Sequence, residues 1–392
     1  MVDEVKRFSW IAFSSCVACV LLLAGGGLGT TPGASAAPPY RVYLPLVLKY
    51  GGSSPPPAGL FGYGMQLAMP ANSGLTRDAG FGYVKFQLPW KVSEPQPGQY
   101  DWADATPGSY AENFVRDAEA AGMKVVLRVD VPPGWANGNG GDQTPPSNPA
   151  DYGRFMQSLA THLKGRVVGY EIWNEPNIAS EWGGRSPSPA EYTALLRAAY
   201  NGVKAGDPGA RVITAGLAST GGDGGANALN DVDFIRGMYV AGAKGNFDVL
   251  GSHPYGFVSA PEDLWGANIN FFRRAEAQRQ VMLDNGDASR QIWATEFGWL
   301  IDPAAYGQSC SWPDRDWQKV SPQTQADYLV RAYQYAYNNW PWMGSMFSFN
   351  LDLSAVSYYD SCNPMRWYSI VNGDYSARPA YTALKNMAKP TR

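Results

Sequence analysis

Histidine and positive charge are both scarce in this 392-residue chain. Its two histidines, His162 and His253, are too few for a multi-histidine metal site and leave few ways to build a Ser-His-Asp triad. The net charge of −3 gives no basic face for nucleic acid. We therefore expect a protein that needs no metal and no cofactor and has no nucleic-acid partner.

The N-terminus has the composition of a targeting segment. Lys6 and Arg7 precede an apolar run from Phe8 to Gly29, and residues 34–36 resemble a signal-peptidase site. This pattern predicts a signal peptide over residues 1–36 and a secreted, extracellular protein. Because the run is long enough to cross a bilayer, an uncleaved anchor at the cell surface is the alternative.

A linker separates this segment from the rest of the chain. Residues 37–59 contain a short apolar stretch followed by a Gly-, Ser- and Pro-rich linker. No second linker follows, so residues 60–392 are predicted to form a single domain. Its size suits a (β/α)₈ barrel with insertions.

Strand-like and helix-like segments alternate along this domain, which predicts an α/β fold with a parallel sheet. A doubly wound open sheet is the competing fold, but the Gly-rich turn that dinucleotide-binding sheets carry after their first strand is missing. We therefore predict a (β/α)₈ TIM barrel. Helix starts are indicated by capping boxes at 109–112 and 188–191 and by Asn148-Pro149. The predicted strands are 60–67, 82–88, 124–130, 167–173, 211–217, 247–252, 291–296 and 344–350.

Two glutamates lie at ends of predicted strands. Glu175 follows the fourth strand and Glu296 ends the seventh. In a barrel, the carboxyl ends of all strands meet on one face, where catalytic residues lie. Glycoside hydrolysis requires two carboxylic groups that face one cleft, and this pair would meet that requirement.

The segments around these two glutamates resemble those of a known group of enzymes. Asn174-Glu175-Pro176, in register with Glu296 three strands later, resembles the retaining glycoside hydrolases of clan A, which include the cellulase-like family five and the xylosidase-like family thirty-nine. The resemblance covers much of residues 60–392 and includes Trp90 and the segment His253-Pro-Tyr255.

The resemblance implies roles for individual residues. Glu175 would be the general acid/base and Glu296 the nucleophile in cleaving β-glycosidic bonds of plant or microbial polysaccharides or oligosaccharides. Asn174 would hydrogen-bond the sugar 2-hydroxyl, Tyr255 would keep Glu296 ionised, and His253 would line the same wall. We expect further substrate contacts from Trp90, Trp135, Trp299 and Lys85.

Two positions depart from the clan pattern. Lys85 stands where many members have Arg, and no Trp is evident at the end of strand eight, where Phe347 or Phe349 can substitute. Both changes affect the sugar subsite next to the cleaved bond.

Glu171 lies in the fourth strand, deeper than Glu175. A buried carboxylate needs a partner, and the inward basic residues Lys85 and Arg128 are the candidates. We therefore predict that Glu171 belongs to a structural ion pair and is not the chemical group.

Other functions are open at this stage. A catalytically inactive carbohydrate-binding barrel is the main alternative to a hydrolase, although both carboxylates are intact. A barrel lyase or aldolase would require a Schiff-base Lys or metal ligands at strand ends, and neither is evident. We expect a monomer with a carbohydrate substrate and with no membrane contact beyond an uncleaved N-terminal segment.

Cys310 and Cys362 are the cysteines left after signal cleavage. They follow strands seven and eight, whose loops are neighbours on the catalytic face of a barrel. An even pair in an exported chain predicts a disulfide between them.

Overall fold

The computed structural model describes residues 61–102, 110–264 and 271–391. The predicted signal peptide, the segment at 37–59 and the capping residue Ser109 lie outside the described residues. The predicted TIM barrel is confirmed: eight parallel strands close in chain order, with β1 paired to β8. The strands are β1 Gly62–Gln66, β2 Tyr83–Pro89, β3 Lys124–Asp130, β4 Val167–Ile172, β5 Arg211–Thr214, β6 Val249–Ser252, β7 Gln291–Phe297 and β8 Met343–Ser348.

Helices connect the strands and cover the outside of the barrel. Two predicted helix starts are confirmed, because Asn148 accepts a hydrogen bond from the Ala150 amide and Ser188 accepts one from the Glu191 amide. The helices are α1 Ser73–Asp78, α2 Trp90–Ser93, α3 Tyr110–Ala120, α4 Gly134–Asn137, α5 Pro149–His162, α6 Pro189–Gly206, α7 Asp231–Val240, α8 Arg274–Asp284, α9 Pro322–Asn339 and α10 Pro379–Asn386. Within the described ranges, no helix has the length and apolarity needed to cross a membrane.

Along the barrel axis, the inward-facing side chains form an apolar layer followed by a charged layer nearer the carboxyl ends of the strands. Apolar side chains from five strands form one buried cluster. Two residues after Val126 of this cluster, Arg128 on β3 pairs in register with Glu171 on β4. This alternation places charged side chains on the same inward rows, towards the carboxyl ends of the strands. The cluster consists of Val126, Ile213, Val249, Trp293 and Phe347.

The loops after β7 and β8 pack over a second apolar cluster that includes Tyr255, Phe349, Trp367 and Tyr368. The predicted disulfide joins these two loops: Cys310 and Cys362 are bonded, with their Cα atoms 5.3 Å apart. The two loops therefore form one covalently closed wall on the catalytic face of the barrel.

Candidate active site

The chain leaves β4 through a strained turn that positions Glu175. Trp173 and Glu175 have φ angles of 74° and 39°, which are uncommon for residues with a side chain. Backbone hydrogen bonds hold this turn, from Trp173 N to Val129 O and from Glu175 N to Gly216 O, at 3.1 Å each. The pleat therefore ends at Ile172, and Glu175 is fixed between β3 and β5.

Glu296 lies near the end of β7 and accepts hydrogen bonds on both carboxylate oxygens. The Tyr255 hydroxyl donates to Oε2 at 2.9 Å. Arg128 Nη1 and Lys85 Nζ donate to Oε1 at 2.8 and 3.2 Å. The predicted contact between Tyr255 and Glu296 is thus present. The two cations, Arg128 and Lys85, also stabilise the ionised form of Glu296.

His253 joins the two glutamates. Its Nδ1 lies 2.9 Å from Glu175 Oε1 and 3.9 Å from Glu296 Oε2. The distance between these two carboxylate oxygens therefore cannot exceed the sum of the two distances from Nδ1. That bound is compatible with the roughly 5–5.5 Å separation of the carboxyl groups in retaining glycosidases.

The two carboxyl groups differ in pKa. Burial raises the pKa of Glu175, and the charge of Glu296 adds to this, against the opposing effect of His253. Burial also acts to raise the pKa of Glu296, but His253, Lys85 and Arg128 outweigh it and leave that pKa below its usual value. Glu175 is therefore the group more readily protonated, and Glu296 is the one held ionised.

Glu171 is the predicted structural partner. It forms an ion pair with Lys85 at 2.8 Å, and both side chains are completely buried. Its other carboxylate oxygen accepts a hydrogen bond from the Gly216 amide at 3.1 Å and lies 3.6 Å from His253 Nε2. Burial acts against the charge, but Lys85 and His253 outweigh it and lower the pKa of Glu171.

Gly216, just after β5, makes room for His253. A Cβ atom at position 216 would lie 2.0 Å from the imidazole Cδ2 and 2.2 Å from Nε2. Only glycine therefore allows the imidazole to lie between Glu171 and Glu175. Three carboxylates surround His253 and raise its pKa to about 9, although burial alone would lower it.

Asn174, the residue before Glu175, is hydrogen-bonded on both sides of its amide group. Asn174 Oδ1 accepts a hydrogen bond from Arg128 Nη1 at 2.9 Å, and its Nδ2 donates to Glu181 at 3.2 Å. Burial, together with the charge of Glu175, raises the pKa of Glu181 well above its usual value. Glu181 was not among the predicted site residues, although its position in the loop that follows Glu175 was the available signal.

The tryptophans expected to contact substrate differ in exposure. Trp90 and Trp299 are completely buried: Trp90 donates its indole N–H to Glu94 at 2.6 Å, and Trp299 donates to Ser259 O at 3.0 Å. Other side chains pack against both rings, and their contact with substrate stays a prediction. Trp135 is half-buried on α4, edge-on to Trp90.

Lys85 pairs with two carboxylates. Its side chain is fully buried and bridges Glu171 and Glu296, and its contact with substrate stays a prediction. Lys85 therefore acts on Glu296 from beneath the cleft.

Phe349 and Phe347 occupy different places at the end of β8. Phe349 packs edge-on to Tyr255 with ring centroids 6.1 Å apart, whereas Phe347 lies in the barrel interior beside Trp293. Of the two residues considered as substitutes for a tryptophan, Phe349 is the one beside the site. His162 is exposed, stacks on Trp102 and contacts Glu112, so it lies outside the site. Within the described residues, no cluster of acidic, His or Cys side chains is arranged to hold a metal ion.

Comparison with known proteins connects this geometry to a family. Residues 58–339 match the sequence profile described as Cellulase (glycosyl hydrolase family 5). A comparison with curated proteins gave no match.

Several solved structures share the fold at low sequence identity. A family 39 glycoside hydrolase from Bacteroides cellulosilyticus WH2 is 22% identical, with a TM-score of 0.62 over 83% of this chain and 63% of that one. A monomeric β-xylosidase from Caulobacter crescentus is 18% identical (TM-score 0.60, 84% and 69% covered). An exo-β-1,4-mannosidase from an Opitutaceae bacterium, strain TAV5, is 15% identical (TM-score 0.58, 86% and 62% covered). This chain thus spans about two thirds of the length of these relatives.

Proposed function

Because the chain belongs to the cellulase family, glycosyl hydrolase family 5, we propose that it is a retaining glycosidase that cleaves β-linked plant or microbial polysaccharides or oligosaccharides. One observation carries the proposal: Glu175 and Glu296 both lie near Nδ1 of His253, with their pKa values shifted in opposite directions. A two-glutamate double displacement requires this asymmetry.

In the first step, an oxygen of Glu296 attacks the anomeric carbon while Glu175 donates its proton to the leaving glycosidic oxygen. The C–O bond to the leaving group breaks and a glycosyl ester to Glu296 forms. Tyr255, Arg128 and Lys85 keep Glu296 ionised before attack. Burial favours the protonated form of Glu175.

In the second step, Glu175, now a carboxylate, removes a proton from water. That water attacks the anomeric carbon from the side the leaving group occupied, and Glu296 leaves as a carboxylate. His253, with its pKa raised to about 9, is cationic at neutral pH, so it stabilises the Glu175 carboxylate before water is deprotonated and the Glu296 carboxylate as it is released. Asn174, held by Arg128 and Glu181, is placed to hydrogen-bond the sugar 2-hydroxyl.

The alternative of an inactive carbohydrate-binding barrel is less well supported. Simple binding does not require two buried carboxylates with opposite pKa shifts, and such an arrangement is costly to fold. A Schiff-base reaction through Lys85 is disfavoured because Glu171 and Glu296 both pair with its ammonium group.

We also propose that the protein is exported and acts outside the cell as a monomer. The disulfide between Cys310 and Cys362 supports an oxidising compartment. The apolar run at residues 8–29 supplies the export signal.

The decisive experiment follows the anomeric configuration of the product by NMR while the purified protein hydrolyses a panel of β-linked polysaccharides and aryl glycosides. We expect release of reducing sugar with retention of configuration. The Glu296→Gln variant should lose at least about 10⁴-fold in kcat. Binding without release by the wild-type protein would favour the inactive barrel, and an inverted product would remove Glu296 from the nucleophile role.

A further inference from the structure

A cavity of about 220 Å³ lies on the catalytic face of the barrel, in the wall formed by the loops after β7 and β8. It is smaller than the roughly 300–1,000 Å³ of pockets for drug-sized ligands, so it suits one small group. None of the carboxylates of the active site lines it. Its lining residues include Tyr306, Gln308, Ser361, Arg366, Trp367 and Arg378.

Two arginines give this cavity an unbalanced positive charge. Arg378 is only 4% exposed, and its guanidinium donates to Asn372 Oδ1 and to the carbonyls of Arg366 and Ser369. Arg366 donates from Nη1 to the carbonyls of Val356 and Tyr359. Among the described residues, no carboxylate forms an ion pair with either of them.

An uncompensated buried guanidinium is unusual, because burying a charge without a counter-charge is costly. Burial, with the nearby charge of Arg366, lowers the pKa of Arg378 to about 10. The rings of Tyr306 and Trp367 give partial compensation, with Arg378 lying 5.1 and 5.2 Å from their centroids. A bound anion would supply the counter-charge that Arg378 lacks.

The rest of the lining suits a sugar. The side chains of Gln308 and Ser361 make no hydrogen bond within the described part of the chain, so they are available to hydroxyl groups. Both residues lie next to the disulfide, since Gln308 is two residues before Cys310 and Ser361 precedes Cys362. The disulfide therefore fixes the two sides of the cavity relative to each other.

The cavity is also connected to the active-site wall. Tyr368, which follows the cavity residue Trp367, packs against Tyr255 with ring centroids 5.6 Å apart, and Tyr255 donates to Glu296. The cavity and the active site therefore share one packed wall.

We propose that this cavity binds the carboxylate of an acidic sugar unit, such as a uronic acid carried by the polysaccharide. Arg366 and Arg378 bind the carboxylate, while Gln308 and Ser361 bind the sugar hydroxyls. The assignment to a polysaccharide rests on the proposed function, whereas recognition of the acidic sugar itself does not.

The test is calorimetry of the purified protein at low ionic strength with glucuronate, galacturonate, glucose and acetate. We expect a uronate to bind at least tenfold more tightly than glucose or acetate. The Arg366→Gln variant should weaken uronate binding at least tenfold, and Arg154→Gln, an exposed arginine on α5, should leave it unchanged. Equal binding of glucose, equal binding of acetate, or an unaffected Arg366→Gln variant would each overturn the proposal.

A second variant tests the same site without removing an arginine, so that a folding defect of Arg366→Gln does not decide the result. At the exposed Gly373, a Cβ atom would lie 3.3 Å from Ser354 O and 3.7 Å from Arg366 Nη2, so Gly373→Glu places a carboxylate beside the arginine without removing a native bond. It should abolish uronate binding, whereas Gly373→Gln, which makes the same contact with Ser354 O without a charge, should retain it; retained binding by Gly373→Glu would contradict the site.

Turnover is measured separately on one polysaccharide with uronic acid branches and on its unbranched counterpart. Arg366→Gln should raise KM only for the acidic polymer. A protein that binds uronate but hydrolyses neither polymer would keep the cavity assignment and reject the proposed function.

Discussion

His253 Nδ1 lies 2.9 Å from Glu175 Oε1, and the same ring places Nε2 3.6 Å from Glu171 Oε1. One imidazole thus connects the acid/base candidate to a carboxylate that is buried too deeply to meet substrate. Lys85 forms an ion pair with Glu171 and so holds its carboxylate beside His253. The carboxylate in turn positions the imidazole and favours its charged form. The environment of Glu175 therefore depends on residues from three different strands or strand ends, β2, β4 and β6.

The first prediction concerns Glu175→Ala. It should lower kcat/KM about 10²- to 10⁴-fold for glycosides with poor leaving groups, because these require protonation as the bond breaks. Activated aryl glycosides leave without a proton and should lose far less. Rates measured on a series of aryl glycosides of graded leaving-group pKa check this. An equal loss for all of them would remove Glu175 from the acid role.

The second prediction concerns the buried pair of Glu171 and Lys85. Glu171→Ala leaves the Lys85 ammonium buried with only Glu296 as its partner, so unfolding should become easier by roughly 3 kcal/mol. Chemical denaturation measures this. The matched control is Lys385→Ala, which breaks the exposed pair with Asp78 and should change stability far less. A Glu171→Ala protein of wild-type stability but no activity would show that Glu171 reaches the chemistry.

The third prediction concerns pH. Activity requires Glu296 ionised and Glu175 protonated, so the rate should fall as pH drops through the lowered pKa of Glu296 and as it rises through the raised pKa of Glu175. His253→Gln removes a cation that lowers both pKa values, so both limbs should move to higher pH. Tyr255→Phe removes a donor to Glu296 only and should move the acid limb alone. Unmoved limbs in His253→Gln would contradict the electrostatic role of His253.

The same histidine affects stability with pH. Its folded-state pKa of about 9 exceeds its ordinary value of 6.5, so the stability that it contributes is complete below pH 6.5 and is lost as pH rises through 9. Melting temperatures of wild type and His253→Gln, measured across this range, should converge at the alkaline end. Parallel curves would show that His253 is neutral in the folded protein.

The fourth prediction concerns the disulfide. Cys310 and Cys362 are 52 residues apart in sequence, and closing a loop of that length stabilises the folded state by roughly 4 kcal/mol in the chain-entropy model. Cys310→Ser should lower stability by up to that amount. Thiol titration of the denatured, unreduced protein after signal cleavage should find no free thiols. Two free thiols per chain would contradict the bridge in the exported protein.

The sequence by itself determined the fold and the place of the two glutamates. Strands in a closed barrel follow one another in chain order, so a residue that ends a predicted strand must lie on the catalytic face. That rule located Glu175 and Glu296 without knowledge of any contact, and the same neighbour relationship predicted the bond between Cys310 and Cys362.

Only the tertiary structure decided how the charged residues pair. Lys85 and Arg128 were equal candidates as partners of Glu171. In the structure Lys85 pairs with Glu171 and Glu296, whereas Arg128 pairs with Glu296, Asp130 and Asn174. Composition could not distinguish a buried tryptophan such as Trp299 from one that faces the cleft. These outcomes depend on the register between strands and on how loops pack, and both arise from contacts between residues far apart in the chain.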